Sequence, residues 1–208
     1  MAMTNKIKVI TEYLDELLPN VGCELNYTKD YELVIAVMLS AQTTDVAVNG
    51  VTAILFSKFK TLEKLANAKF EDVEKIIHPI GMSKNKTNNA IGIAKMLLND
   101  YGGIVPSDKD ELQKLPGVGN KTAGVIRAEI FKIPDLPVDT HILRITKRLK
   151  LASTNDGPLE TEIKLKKLIP EASWIKTHHQ LIHFGRYHCL ARNPKCENCK
   201  IREFCSKN

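Results

Sequence analysis

ELQKLPGVGNKTAGVIRAEI (residues 111–130) reads as helix, tight turn, helix. Leu115 ends the first helix against Pro116, whose ring cannot continue it. Gly117 and Gly119 are expected to take turn conformations that a side chain would penalise. The second helix starts near Asn120. A turn of this kind presents several backbone N–H groups at a helix N-terminus, a site for one phosphate. Contacts from Leu115, Gly117, Val118 and Gly119 would therefore position a nucleic acid without reading its bases. A helix corner needing glycines for close packing is the plainer alternative. The run Leu-Pro-Gly-Val-Gly, with Lys121 at the start of the next helix, favours a helix-hairpin-helix module that binds DNA.

Outward from the hairpin the chain stays helical. IPDLP (133–137) interrupts helix formation with two prolines and forms a natural seam. Spacing of apolar residues predicts helices over 5–18, 31–42, 45–59, 84–100, 120–132, 139–150, 158–169 and 173–187, with shorter ones near 61–67, 70–77 and 108–114. YELVIAVMLSAQ (31–42) is apolar all round and should be buried. No segment alternates as a strand would, so the expected class is all-α. At 208 residues and 43% hydrophobic content, one large or two small domains can bury a core. No long linker separates them, so two domains would be packed together.

Four of the five cysteines, Cys189, Cys196, Cys199 and Cys205, crowd the tail. A metal centre or two disulfides would explain them. The N-terminus has no apolar run of signal-peptide length, and no stretch approaches membrane-spanning length. A cytoplasmic protein is expected, where clustered cysteines bind metal or do chemistry. Four thiolates suit zinc or a [4Fe–4S] cluster about equally, and the spacing does not decide between them. Cys23 stands alone and is expected to be a small buried hydrophobe. The formal charge of +6 suggests an anionic partner. Five basic residues of the tail (Arg192, Lys195, Lys200, Arg202, Lys207) outnumber two acids. A loop pinned by metal would hold Arg192 and Lys195 outward toward phosphates; a solvated charged surface is the plainer reading.

LPGVGNKTA, VDTHILRITKRL (138–149), HFGRYHCLARNPKCENCKIREFC (183–205) and ELVIAVMLSAQTTDVAVN (32–49) together resemble the endonuclease III family, in that family's order and over nearly the whole chain. The resemblance implies a bifunctional DNA glycosylase and abasic-site lyase acting on oxidised pyrimidines. It implies two packed helical domains. One would span 24–134 and carry the hairpin. The other would join 1–23 to 135–208 and hold a C-terminal loop whose four cysteines bind a [4Fe–4S] cluster. The active site would lie in the groove between them. The implied partner is double-stranded DNA carrying damaged pyrimidines or abasic sites; no membrane is implied, and a monomer is expected, nucleoid-associated in a prokaryote. The ligands of the [4Fe–4S] cluster would be Cys189, Cys196, Cys199 and Cys205.

Lys121 matches the family's nucleophile. The helix N-terminus and an expected partial burial would favour its free amine, which can attack a carbon of oxocarbenium character. Asp139, just before THILRITKRL, is a good helix N-cap and also matches the family's charge-stabilising carboxylate. Flipping a base leaves a hole in the duplex. Gln42 matches the residue inserted there, and Met82 stands where the family usually has a leucine wedge. His141 and Arg144 are expected near the sugar–phosphate. Two alternatives remain. A monofunctional adenine-type glycosylase shares the cysteines and the aspartate but lacks the lysine. A non-catalytic DNA-binding module with zinc would leave Lys121 and Asp139 without a role.

Overall fold

The computed structural model describes residues 3–206, so Lys207 lies outside the described residues. These residues form eleven α-helices and no strand. In chain order they are α1 (Met3–Leu17), α2 (Asp30–Leu39), α3 (Asp45–Lys58), α4 (Leu62–Ala66), α5 (Phe70–Ile77), α6 (Ser83–Tyr101), α7 (Lys109–Lys114), α8 (Asn120–Phe131), α9 (Thr140–Arg148), α10 (Pro158–Leu168) and α11 (Trp174–Tyr187). Two short 3-10 turns, Glu171–Ser173 and Arg202–Phe204, add to the helices that the apolar spacing predicts.

The periodicity locates every α-helix, with one informative misplacement. The apolar run predicts that α2 continues to Gln42, but it stops at Leu39. The Ser40 hydroxyl donates to the Val37 carbonyl at 2.7 Å, and the Thr44 side chain caps α3 by accepting from the Ala47 N–H. Such side chains offer the backbone partners that compete with helix continuation. Gln42, between them, sits at φ +54°, where a helix cannot pass.

The chain divides into two compact units. One is Glu24–Phe131, holding α2 to α8. Its centre is α2, in which every residue from Tyr31 to Leu39 is buried. α6 packs along α2, α4 and α5, and the α7–α8 hairpin closes on α2. The other unit joins Met1–Cys23 to Lys132–Asn208. Ile7, Ile10 and Leu14 of α1 share a core with Ile142 and Ile145 of α9, Leu165 of α10 and Leu181 and Phe184 of α11. Polar ties reinforce it: Gln180 Nε2 donates to Asp15 Oδ1 at 2.8 Å, and Lys200 pairs with Glu16.

The extended run after Lys132 is held by a buried ionic group. Lys166 Nζ reaches Asp135 Oδ1 at 2.5 Å and Glu162 Oε1 at 2.6 Å. Asp135 is 2% exposed and Glu162 is 6% exposed. Burial pulls the Lys166 pKa down, but hydrogen bonds to the two carboxylates outweigh it and leave the pKa raised. Two buried carboxylates share one cation, so removing the cation takes the shared counter-charge from both. Lys166→Met should lower unfolding stability by about 3 kcal/mol or more. Urea titration of the variant checks this; a midpoint equal to wild type would show that the pair is screened.

Candidate functional site

The hairpin forms as its sequence demands. The Val118 N–H donates to the Leu115 carbonyl at 3.0 Å, closing a turn with Pro116 and Gly117 at its centre. Gly117 has φ +76°, the conformation a Pro-Gly turn of this type requires at its third residue. A Cβ there would also fall 2.4 Å from Asn89 Nδ2 and 3.0 Å from Met38 Cγ. Gly119 differs from expectation. Its φ is not positive, and a Cβ would meet nothing within 4 Å. Its missing side chain relieves no strain; it leaves the approach to the N-terminus of α8 open. Leu115 and Val118 are 1% and 5% exposed, so their side chains anchor the hairpin in the core. Only their backbone groups are left to meet a ligand.

Lys121 lies in the first turn of α8 and is exposed. The partial burial expected for it is not found. Gln42 and Met82 belong to the same unit, and both are exposed non-glycine residues in the left-handed region, at φ +54° and +59°. Met82 is also the N-cap of α6, although it has no side-chain oxygen to cap with. Left-handed backbone at a non-glycine residue costs on the order of 1 kcal/mol and gathers at functional turns.

Asp139 belongs to the other unit. Its Oδ1 accepts from the Ile142 N–H at 2.8 Å and caps α9, as its position before THILRITKRL leads one to expect. It is half-buried. His141 is half-buried too. Burial pushes its pKa below the ordinary value; Arg144 and Arg186 push the same way, and Asp139 opposes them. Arg144 does not reach outward for a phosphate. Its Nη2 donates to the Gly185 carbonyl at 2.8 Å and to the Cys189 carbonyl at 3.0 Å. Gly185 permits this approach: a Cβ there would fall 2.8 Å from His141 Cβ and 3.0 Å from Ile145 Cδ1.

The sequence assigns Arg148 no role, yet it is a buried donor to the cysteine loop. It is 9% exposed and donates to the carbonyls of Leu190 at 2.7 Å and Ala191 at 3.0 Å, and to Cys189 Sγ at 3.2 Å. A signal existed, because Arg148 falls three residues after Ile145, on the buried face of α9. Cys189, Cys196, Cys199 and Cys205 line one cavity with Arg148. Burial pushes the Cys199 thiol up, and the other three cysteines push it further. Among the described residues no group of three or more His, Cys, Asp or Glu converges closely enough for a single metal ion. Four thiols lining one cavity are a donor set that zinc or an iron–sulfur cluster can take. Arg192 and Lys195 lie on the loop between the first two cysteines, with Arg192 exposed. Cys23, expected to be buried, is only partly so.

Residues 35–171 match the family of HhH-GPD superfamily base excision DNA repair proteins. Fold and hairpin thus define a helix-hairpin-helix protein of base excision repair. Residues 189–205 match the iron–sulfur binding domain of endonuclease III, and the cofactor is a [4Fe–4S] cluster. Endonuclease III of Bacillus subtilis (strain 168) is 43% identical over 99% of this chain and 94% of its own length. Endonuclease III of Escherichia coli (strain K12) is 39% identical over 99% of this chain and 96% of its own. A trapped endonuclease III–DNA covalent intermediate superposes with a TM-score of 0.95 at 42% identity, covering 100% of this chain and 97% of that one. The chain belongs to the endonuclease III family.

Arg148→Met keeps much of the buried stem and removes every donor. Iron retention against a chelator should fall about 10- to 100-fold; wild-type retention would leave Arg148 a packing residue. For His141 the folded pKa lies below the unfolded one, so the unfolded chain binds the proton more tightly. Its stabilising contribution is present above the unfolded pKa of about 6.5 and is lost as pH falls toward the folded pKa. His141→Gln should flatten the decline in stability below neutral pH, measured by urea titration across that range.

Proposed function

We infer that the protein removes damaged bases from duplex DNA and then cleaves the abasic site, as a DNA glycosylase and abasic-site lyase of base excision repair. Membership of the endonuclease III family along the full chain carries this reading. Oxidised pyrimidines are the proposed substrates. Lys121 at the start of α8 supports lyase chemistry and disfavours the monofunctional alternative. Cys189, Cys196, Cys199 and Cys205 are the proposed cluster ligands.

The proposed sequence of steps uses only this chain's own residues. The Lys121 amine attacks C1′ of the flipped nucleotide, and the base leaves with the bonding electron pair. The N,O-acetal opens as the C1′–O4′ bond breaks, the nitrogen lone pair forms the C1′=N bond of a Schiff base, and O4′ takes a proton. This electron sink acidifies the 2′ proton; its loss expels the 3′ phosphate and breaks the strand. Asp139 supplies negative charge where the sugar becomes cationic and assists proton transfer from the amine. Its cap bond to the Ile142 N–H fixes the carboxylate's orientation while leaving Oδ2 for the sugar. Lys121 and Asp139 belong to different units, so the proposal requires both units to engage one nucleotide.

Gln42 fills the place of the flipped base, and Met82 wedges the stack. Backbone N–H groups at Gly117 and Gly119 hold a phosphate, with Arg192 and Lys195 meeting others along the strand. His141, neutral near pH 7, approaches the sugar–phosphate edge. When bound, the cluster supplies cross-links that fix the tail, and no step of base removal passes through it. Among the described residues no helix is long and apolar enough to cross a membrane. We place the protein in the cytoplasm, as a monomer on DNA.

Borohydride should trap the wild-type protein covalently on abasic DNA, whereas Lys121→Ala should give no adduct. An equally strong adduct from the variant would remove Lys121 from the reaction. Asp139→Asn should slow base excision about 100- to 10,000-fold with duplex affinity largely kept. Unchanged turnover would leave Asp139 only its cap.

A further inference from the structure

Lys86 is the least expected charge in the Glu24–Phe131 unit. It is 3% exposed, and its Nζ donates to Thr43 Oγ1 at 2.6 Å. Burial alone pushes its pKa down; among the described residues no carboxylate acts on it. A buried ammonium without a counter-charge costs stability, and an apolar side chain of the same length would avoid that cost. Thr87, the next residue of α6, is fully buried with its hydroxyl unpartnered. This end of α6 therefore carries polar groups that packing alone does not require.

The contacts of Lys86 lead to both exposed left-handed residues. Its backbone N–H donates to the Met82 carbonyl at 3.0 Å, forming the first turn of α6 on the strained cap. Its ammonium reaches Thr43, the neighbour of Gln42. The Thr43 hydroxyl passes the chain on, donating to the Ala41 carbonyl at 3.2 Å, and the Thr43 N–H donates to the Ser40 carbonyl at 3.1 Å. Gln42 is thereby bracketed on both sides by residues of one hydrogen-bonded relay, while its own side chain stays exposed.

We propose that Lys86 is a positioning residue that ties the turn bearing Gln42 to the turn bearing Met82 and holds both probes at a fixed spacing for the flipped-base gap. The inference rests on the reading that Gln42 and Met82 enter the duplex. Lys86 does not touch the reacting sugar; it acts through Thr43 and the α6 cap. Loss of its ammonium frees the Gln42 turn to relax, so the cost falls on opening the duplex and not on the amine chemistry.

The experiment compares Lys86→Met, Thr43→Val and their double variant with Gln42→Ala and Met82→Ala. Three quantities are read: single-turnover excision of an oxidised pyrimidine from duplex DNA, borohydride trapping on a single-stranded abasic oligonucleotide, and thermal melting. A single-stranded abasic site needs no base flipped out and leaves no gap. Lys86→Met should lower duplex excision about 10- to 100-fold. Trapping on the single strand should stay at the wild-type level. Thr43→Val should share the defect, and the double variant should be no worse than Lys86→Met alone, because the two residues act as one unit. Wild-type duplex excision by Lys86→Met overturns the proposal. An equal loss on single and double strands in a variant that melts normally also overturns it, because Lys86 would then serve the chemistry. If Lys86→Met does not fold, Thr43→Val decides alone, and its wild-type rate on duplex would overturn the relay. Should Gln42→Ala and Met82→Ala both excise normally, the reading of those turns as probes falls and this inference with it. Should they fail while Lys86→Met and Thr43→Val do not, only the present inference falls.

Discussion

A helix that ends inside a protein leaves its last carbonyls without partners. At the end of α11 the backbone N–H groups of His188 and Cys189 take the Phe184 carbonyl, and two arginines from α9 take the Gly185 carbonyl and those of the cysteine loop that follows. Arg144 takes the carbonyls of Gly185 and Cys189; Arg148, one turn on, takes those of Leu190 and Ala191 and touches the Cys189 sulfur. The path of the cysteine loop follows from these bonds, because they fix the backbone direction at the first cysteine. The close packing of α9 on α11 depends on the same arrangement, with Gly185 as the point where a side chain would collide. α9 is capped at its other end by Asp139. One nine-residue helix therefore carries the proposed catalytic carboxylate at its start and the brace for the cysteine loop at its end.

Helix positions are legible because burial sets a 3.6-residue period that the apolar residues report directly. The hairpin is legible because Pro116 and Gly117 have few other conformations open to them. What the pattern does not show is local competition. Ser40 and Thr44 end α2 early through their hydroxyls, and a count of apolar residues does not see that. Neither Gln42 nor Met82 resembles a left-handed residue in sequence; the surrounding turns impose the conformation. The place of Lys121 after the hairpin suggests partial burial, but the residue is exposed on α8. Spacing groups Gly119 with Gly117, although only one of the two needs the absent side chain for its backbone.

Two of the most informative residues escape for a shared reason. Lys86 and Arg148 are charged, and charge in a helix is read by default as a solvated face. Both sit on apolar stripes. Lys86 is followed by the buried residues Ala90, Ile93 and Leu97, and Arg148 follows Ile142 and Ile145. A cation in register with a buried stripe can itself be buried, because the long stem packs while the head finds a polar partner inside. Arg148 finds carbonyls and a sulfur; Lys86 finds one hydroxyl. The richer set spans several residues of one loop, and the single bond of Lys86 ties two turns together.

The unit built from Met1–Cys23 and Lys132–Asn208 has a consequence for how the chain is made. α1 leaves the ribosome early, yet its apolar face packs on α11, and Asp15 and Glu16 wait for Gln180 and Lys200. The Glu24–Phe131 unit is continuous and closes on itself as soon as α8 has emerged. Synthesis thus yields a folded middle flanked by an unpaired amphipathic helix, whose partners arrive only after that middle is made. The last cysteine follows α11 by less than twenty residues. Completion of that core and assembly of the metal-binding loop therefore fall in the same late interval. Ile201 and Phe204 of the tail pack on the same core as Ile7, Ile10 and Leu14, so the seat of α1 and the path of the cysteine loop are completed together.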